Sequence, residues 1–398
     1  MLAVLLVIFT LILLWMLRQN GPTLPGPSGS LPLAGHLVQF RNLVLRVKYV
    51  HLAWAELWRK YGPLTSIKLG KDRIVVLNGF EAIKSALTMD QCVLVTDGAD
   101  WKQQRSFIVQ HFRSAGVKGD EMEGLVSVES EELVKLLQQK FSGSEGMELE
   151  LRNLCDISVL NVLWTIVAGK RFELSDPRLH KLMSMLHEYF MQPLIAILID
   201  LFMAGSDTTS NSLAFCLLRL MLSPDVQRKA QQEIDQVVGR SRHPSLADRT
   251  QLPYTEAVVM EVLRISTVAA TTPAHRTLRS CEILGHHIPQ DTVLVPNISG
   301  VLLDPDYWKD PEIFRPERFL DADGKILKEE RYIPFGLGKR RCLGDALAKS
   351  TIFLFISALL QNFQFELVPG QEKPSLLPID GLTLAPKPFS GIVKQREH

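Results

Sequence analysis

A mainly α-helical chain with small β-sheets is predicted by three features of the sequence. Helical spacing of apolar residues recurs over 43–60, 79–87, 121–140, 151–169 and 254–265. Two longer apolar runs, Leu194 to Leu222 and Cys342 to Phe363, are too long for strands. Strand-like stretches are few: Thr65 to Leu69 and Arg73 to Leu77 flank Gly70-Lys71-Asp72 as a hairpin does, and Pro273 to Val295 continues in short irregular strands around Gly285 and Pro289.

Length and composition set the frame. The 398 residues suit one large domain or two ordinary ones, and 46% hydrophobic content is ample for a deep core. Lys and Arg number 44 against 43 Asp and Glu, a balance that gives no reason to expect nucleic acid as a partner. The cysteines at 92, 155, 216, 281 and 342 are odd in number and contain no CxxC pair. That excludes a disulfide framework or a structural zinc site and favours a reducing compartment.

In chain order, Met1 to Leu17 is apolar except for Thr10, long enough to cross a bilayer, and carries neither the basic start nor the small-residue cleavage site of a signal peptide. The prediction is a retained anchor over residues 1–19, with Arg18 placing the rest on the cytoplasmic side. The prolines and glycines from Gly21 to His36 end any helix, so residues 20–36 read as a semi-rigid hinge or a plain linker, and 37–398 as the main folded domain. Tyr61-Gly62-Pro63 stops the helix begun at Leu43. Trp101 and Arg105 lie one helical turn apart, a pairing that alone marks surface as readily as a site. His187-Glu188 does not open a zinc-protease motif, because Met191 stands where the second histidine must be.

The apolar run to Leu222 contains Asp200, Asp207 and Arg219, charges that make a buried core helix preferable to a second membrane span. Its centre, Ala204-Gly205-Ser206-Asp207-Thr208-Thr209, holds poor helix formers, and such local rule-breaking concentrates at functional sites. Gly205 removes bulk where a flat group can lie, and the Thr208 hydroxyl can bond the Ala204 carbonyl; an ordinary kink is the other reading. Ser223-Pro224-Asp225 restarts a helix, with the serine as N-cap, and Gly239 closes it. Glu261 and Arg264 share a helix face, which by itself means a modest surface pair. Pro316-Glu317-Arg318-Phe319 follows later. His275 begins strand structure, and His286 and His287 read as turn residues.

Phe335-Gly336-Leu337-Gly338-Lys339-Arg340-Arg341-Cys342-Leu343-Gly344 is a tight loop delivering one thiol to the start of a helix. The helix N-terminus and the basic run favour the thiolate, which suits a soft metal ligand or a nucleophile; a lone cysteine is otherwise a small buried hydrophobe. The decamer fits F-G-x-G-x-R-x-C-x-G without a mismatch and resembles the haem-binding signature of the cytochrome P450 family. Together with Trp101 to Arg105, Ala204 to Thr209, and Glu261 to Arg264 with Arg318, the match covers nearly all of residues 21–398 in the family's order. Around Asp200 to Ser210 it is similar to the microsomal animal enzymes of the family-2 type.

The resemblance implies a P450 fold, mainly α with small sheets, behind an N-terminal transmembrane helix. It implies haem b with Cys342 as axial thiolate on the iron and Phe335 and Gly336 in the cofactor-binding loop. Trp101, Arg105, His275 and Arg340 hold the propionates, Asp207 and Thr208 deliver protons, and Glu261, Arg264 and Arg318 form a buried structural network. The implied reaction inserts one oxygen atom from O2 into a lipophilic substrate. The implied partners are NADPH-cytochrome P450 reductase, cytochrome b5 and membrane lipid, with the catalytic domain on the cytoplasmic face of the endoplasmic reticulum. The chain agrees in having neither G-x-x-x-x-G-K-[ST] nor a strand-borne G-x-G-x-x-G to hold NADPH itself. Lys339 and Arg341 with Arg228 and Lys229 offer a docking face for an acidic reductase, or simply a solvated surface.

Two departures stand out. Between Ala82 and Trp101 only a short link is left where relatives carry a longer loop over the haem, and between Phe190 and Leu194 the helices that roof the substrate channel are missing. The expected fold therefore lacks part of the distal roof. Skipped exons or an incomplete gene model account for this best, a working minimal enzyme being the other account. A truncated non-catalytic form is the competing functional reading. A haem-thiolate isomerase is a third, disfavoured by the retained Asp207-Thr208 pair.

Overall fold

The computed structural model describes residues 24–31, 33–70, 72–88, 92–93, 105–106, 108–110, 120–140, 146–168, 171 and 193–396. The anchor expected over 1–19 lies outside these residues. The chain forms two compact units, one drawn from Met1–Asp100, Ala270–Tyr307 and Gly336–Arg341, the other from Trp101–Ala269, Trp308–Phe335 and Cys342–His398.

The first unit is built on the predicted hairpin. Helices α1 (Leu37–Val47) and α2 (Val50–Tyr61) precede it. The helical spacing from Leu43 to Lys60 suggested one helix, but Lys48 adopts φ 69° and its N–H donates back to the Val44 carbonyl at 2.7 Å, closing α1. Strands β1 (Leu64–Leu69) and β2 (Asp72–Leu77) pair antiparallel with Leu69 opposite Asp72, and Gly70 turns between them at φ 62°. Helix α3 (Phe80–Thr88) and edge strand β3 (Cys92–Val93) follow.

Later in sequence, β5 (His275–Thr277) and β8 (Val293–Pro296) complete a sheet of order β1-β2-β8-β5-β3, with β8 parallel to β2. Trp54, Leu57, Ile67 and Val76 form its core, with Phe40 stacked on Trp54 at 4.2 Å. Strands β6 (Cys281–Ile283) and β7 (His286–Ile288) make a separate hairpin. His286 and His287 are thus strand residues, not turn residues; the turn is Leu284-Gly285, both at positive φ. Short helices α9 (Ile298–Leu302) and α10 (Pro305–Trp308) come next in the chain.

The second unit is helical. It contains α4 (Asp120–Lys140), α5 (Asp156–Ala168), α6 (Pro193–Leu222), α7 (Pro224–Val237), α8 (Pro253–Ser266) and α11 (Asp345–Asn362). A sheet of order β4-β10-β9 joins Met147–Glu150, Ser390–Gln395 and Phe363–Glu366. Helix α11 is apolar all round and buried from Ser350 to Gln361, so it runs through the middle of the core as such a helix must. The C-terminal half of α6 is equally buried, Leu213, Cys216, Leu217 and Leu218 having no exposed surface. Among the described residues no helix is long and apolar enough to cross a membrane, in keeping with a core helix at 194–222. Ser223 precedes α7 as expected, yet its side chain makes no capping bond; Pro224 and Asp225 mark the start instead.

Candidate active site

The cysteine loop owes its shape to two glycines. Gly336 and Gly338 sit at φ 74° and 68°, and at Gly336 nothing lies within 4 Å of the point where a Cβ would be, so there backbone conformation rather than space demands glycine. Gly338–Arg340 forms a single 3-10 turn, and the Arg341 N–H donates to the Gly338 carbonyl at 3.2 Å. The Cys342 N–H then donates to the Phe335 carbonyl at 2.9 Å, closing the loop on itself. Its thiol is exposed, and Gly344 is the N-cap of α11. The sequence reading of a thiol presented at a helix start is met, and the positive end of that helix favours a thiolate there.

Glu261, Arg264 and Arg318 come together as expected. Glu261 accepts from Arg264 Nε at 2.7 Å and Nη2 at 2.9 Å, from Arg318 Nε at 2.9 Å and from the Arg315 backbone N–H at 3.1 Å. The Glu261 and Arg264 side chains have no exposed surface. Such burial is tolerable because every charge is paired and the spare donors are used. Arg264 reaches the Pro311 carbonyl at 2.7 Å, while Arg318 reaches the carbonyls of Trp308, Asp310 and Ile313 at 3.0–3.1 Å. Two arginines from distant parts of the chain thereby hold the 308–313 backbone. Arg219, near the end of α6, also feels this cluster: burial pulls its pKa down to about 10, with Glu261 opposing.

On α6 the Thr208 hydroxyl donates to the Ala204 carbonyl at 2.6 Å and the Ser212 hydroxyl to the Thr208 carbonyl at 2.7 Å, the back-bonding expected of this segment. Gly205 serves a different purpose from the one its position suggested. A Cβ there would stand 3.1 Å from both terminal carbons of Leu163, so the glycine admits α5 rather than a flat cofactor. Asp207 is exposed, as are Ala204 and Met203. Beneath them, Asp156 at the start of α5 is pushed up to about 6 by burial; the Ser210 hydroxyl opposes this and the Asp207 charge adds to it. Nothing in the sequence marked Asp156.

Arg105 is a half-buried helical residue whose pKa is lowered by burial, against which the Cys342 thiolate acts. His275 on β5 is 2% exposed, and neither ring nitrogen makes a hydrogen bond of normal geometry. Burial holds its pKa at about 4, the Arg340 charge pushes the same way, and the Pro273 carbonyl opposes. A buried imidazole with both nitrogens orphaned fits a site whose acidic partner comes from a ligand, as haem propionates provide. Trp101 lies outside the described residues.

The segments at 268 and 384 meet, since the Leu384 N–H donates to the Val268 carbonyl at 2.8 Å. Asn211 of α6 reaches Thr383 at 3.4 Å. Arg228 and Lys229 are engaged in surface ion pairs with Asp225 and Glu317. Sequence reasoning overlooked Tyr332 and Lys349, although the spacing of Asp345 and Lys349 is that of a helical ion pair and the two charges lie 2.9 Å apart.

Comparison with known proteins gives the family. The cytochrome P450 family model matches residues 24–194 and 191–393, two pieces that meet where α6 begins. The farnesoate epoxidase of Bombyx mori is 31% identical over 468 residues, covering 94% of each chain. Human cytochrome P450 2D6 is 30% identical, covering 98% of this chain and 97% of its own. Rat cytochrome P450 2U1 is 49% identical across 51% of this chain and 38% of its own. The first two alignments are longer than this 398-residue chain, the excess being residues of the relatives that it lacks. With its thiol loop, its buried glutamate–arginine network and these matches over nearly its whole length, the chain belongs to the cytochrome P450 family, the haem-thiolate monooxygenases that hold haem b iron through a cysteine.

Proposed function

We propose that this chain is a membrane-anchored P450 that takes electrons from NADPH-cytochrome P450 reductase, with cytochrome b5 as a second donor, and oxygenates a lipophilic small molecule. Its anchor is residues 1–19, its hinge 20–36 and its catalytic domain 37–398, on the cytoplasmic face of the endoplasmic reticulum. The family-2 relatives and the apolar N-terminal run support this placement. The observation that carries the reading is Cys342: an exposed thiol at a helix start, on a loop held by two left-handed glycines.

Cys342 is the residue to ligate the haem iron, with Phe335 and Gly336 shaping the loop behind it. Arg105, His275, Arg340 and Trp101 are those to pair with the propionates. His275, kept neutral by burial, donates from a ring N–H without bringing a charge into the core. When bound, haem supplies activation of O2, and its thiolate ligand favours O–O cleavage. Thr208 holds a hydroxyl proton on the Ala204 carbonyl, and the exposed Asp207 beside it meets water. Asp156, at about 6, holds or releases a proton near neutrality and so sets the charge felt by Asp207. Buried Glu261, Arg264 and Arg318 fix the backbone and take no part in proton transfer.

A second reading is a truncated form with impaired haem or substrate binding. It is favoured by the family match breaking into two pieces at 191–194, where the roofing helices are absent. Met203, 47% exposed on a helix whose C-terminal half is largely buried, fits a distal side lacking part of its roof. The CO difference spectrum of the reduced, haem-supplied protein separates the two. A thiolate-type Soret band that disappears in Cys342→Ala supports the monooxygenase; no band in soluble protein supports the truncated form.

A further inference from the structure

We propose that Lys349 is a positioning residue for the Cys342 thiolate, acting through Phe335, and that Tyr332 and Phe319 join it to the buried Glu261 network; this rests on the haem-thiolate reading above. Asp345 and Lys349 alone would be an ordinary helical ion pair of little energetic weight. Their surroundings make the difference. The Lys349 ammonium is 2.9 Å from Asp345 Oδ1, and the two side chains are only 25% and 14% exposed. A lysine of α11 would normally extend its head into water. Here the head lies 5.1 Å from the centre of the Phe335 ring and 5.7 Å from that of Tyr332. Both distances are within cation–π range, and partial burial strengthens such contacts.

Phe335 is the residue whose carbonyl receives the Cys342 N–H at 2.9 Å. Holding its ring therefore fixes the acceptor that sets the backbone of the ligand cysteine. On the other side, Tyr332 meets Phe319 edge to face at 5.1 Å, and Phe319 lies 5.8 Å from Trp308. Trp308 in turn lies under the guanidinium groups of Arg264 at 5.1 Å and Arg318 at 6.0 Å, the partners of Glu261. An unbroken run of ring and cation contacts thus leads from the buried carboxylate to Phe335, the partner of the Cys342 N–H, all within one compact unit. The Tyr332 hydroxyl is buried without a hydrogen-bond partner, so the phenol contributes its ring face and not a polar anchor. Burial and the nearby Glu256 and Asp345 charges hold that phenol protonated.

Spatial continuity does not establish coupling, so the test is a double-mutant cycle. Lys349→Met, Phe335→Leu, the double variant and Lys349→Arg are prepared as full chains supplied with haem, and loss of the thiolate-type CO band is timed under mild heating. The expected result is roughly fivefold faster loss in Lys349→Met. Lys349→Arg, which keeps a cation suited to aromatic faces, restores the original rate. No further acceleration is expected from Lys349→Met once Phe335 is leucine. Backbone amide exchange at Cys342, measured in haem-free chains, should rise in Lys349→Met while exchange in the middle of α11 and the urea midpoint stay unchanged. An unchanged rate of band loss, an equal effect with and without the Phe335 ring, or faster exchange throughout α11 would overturn the proposal. If the unmodified chain shows no thiolate-type band, the monooxygenase reading fails, and amide exchange at Cys342 alone decides the positioning role.

Discussion

Replacing Asp156 by asparagine should stabilise this protein at alkaline pH and not at acid pH. An ordinary aspartate titrates near 3.8 and this one at about 6, because burial and the Asp207 and Glu150 charges outweigh the Ser210 hydroxyl and Arg152. At about 1.4 kcal/mol per pH unit, the full penalty on the charged form is about 3 kcal/mol. Partial contact with water and the helix N-terminus, which welcomes a negative charge, reduce the expected gain to about 1–2 kcal/mol. The folded carboxyl holds its proton more tightly than the unfolded one, so its contribution to stability is greatest below about pH 4. It falls as pH rises toward about 6 and stays low above that. Urea titrations of Asp156→Asn and the unmodified chain at pH 4.5 and 8 test this, with the m-value as a check that the same transition is observed. A higher midpoint for the variant at pH 8 only is the expected result. Equal destabilisation at both pH values would show that Asp156 is a favourable helix cap and refute the argument.

Three further outcomes follow from the same geometry. Glu261→Leu leaves Arg264 and Arg318 charged in the core and should cost about 3–5 kcal/mol, read as a lowered urea midpoint together with lost haem uptake. Haem-free protein should lose stability as pH falls from about 6.5 toward 4, because folded His275 resists protonation; His275→Asn should flatten that part of the profile in urea titrations. Thr208→Val keeps the side-chain shape but removes the hydroxyl bonded to Ala204, so haem content and the CO spectrum should be retained while turnover with reductase falls by at least about tenfold.

Local chemistry made much of this architecture legible before any coordinates. The hairpin announced itself by Gly70, and α6 and α11 by unbroken apolar runs, because neither signal needs a distant partner. The break between α1 and α2 was illegible, since Lys48 carries no mark of the left-handed conformation it adopts. The same limit hid the role of Gly205: a missing Cβ is visible in sequence, but whether it makes room for a ligand or for Leu163 depends on where α5 packs. At the site, Glu261, Arg264 and Arg318 were readable only through resemblance, since an acid and a base three apart occur on countless surface helices. What turns them into a core device is total burial, a tertiary property.

The same contrast bears on how a chain with shortened joins keeps its ligand loop. The Glu261 network and the aromatic run to Phe335 use residues from 254–335 and 342–349, outside the two short joins at 82–101 and 190–194. Among the described residues, the support of Cys342 therefore uses no residue of either join. Hydrophobic burial varies along these helices, since α11 is buried from Ser350 to Gln361 and α6 at Leu213, Cys216, Leu217 and Leu218, while Met203, Ala204 and Asp207 meet solvent. None of the hydrogen bonds among the described residues that hold the cysteine loop or the Glu261 network comes from residues 82–101 or 190–194. Thiolate support and proton delivery thus draw on different residues of this chain, Cys342 with its loop on one side and Asp207 with Thr208 on the other, so under the proposed haem-thiolate reading a Thr208 variant should keep its thiolate-type CO band while it loses turnover.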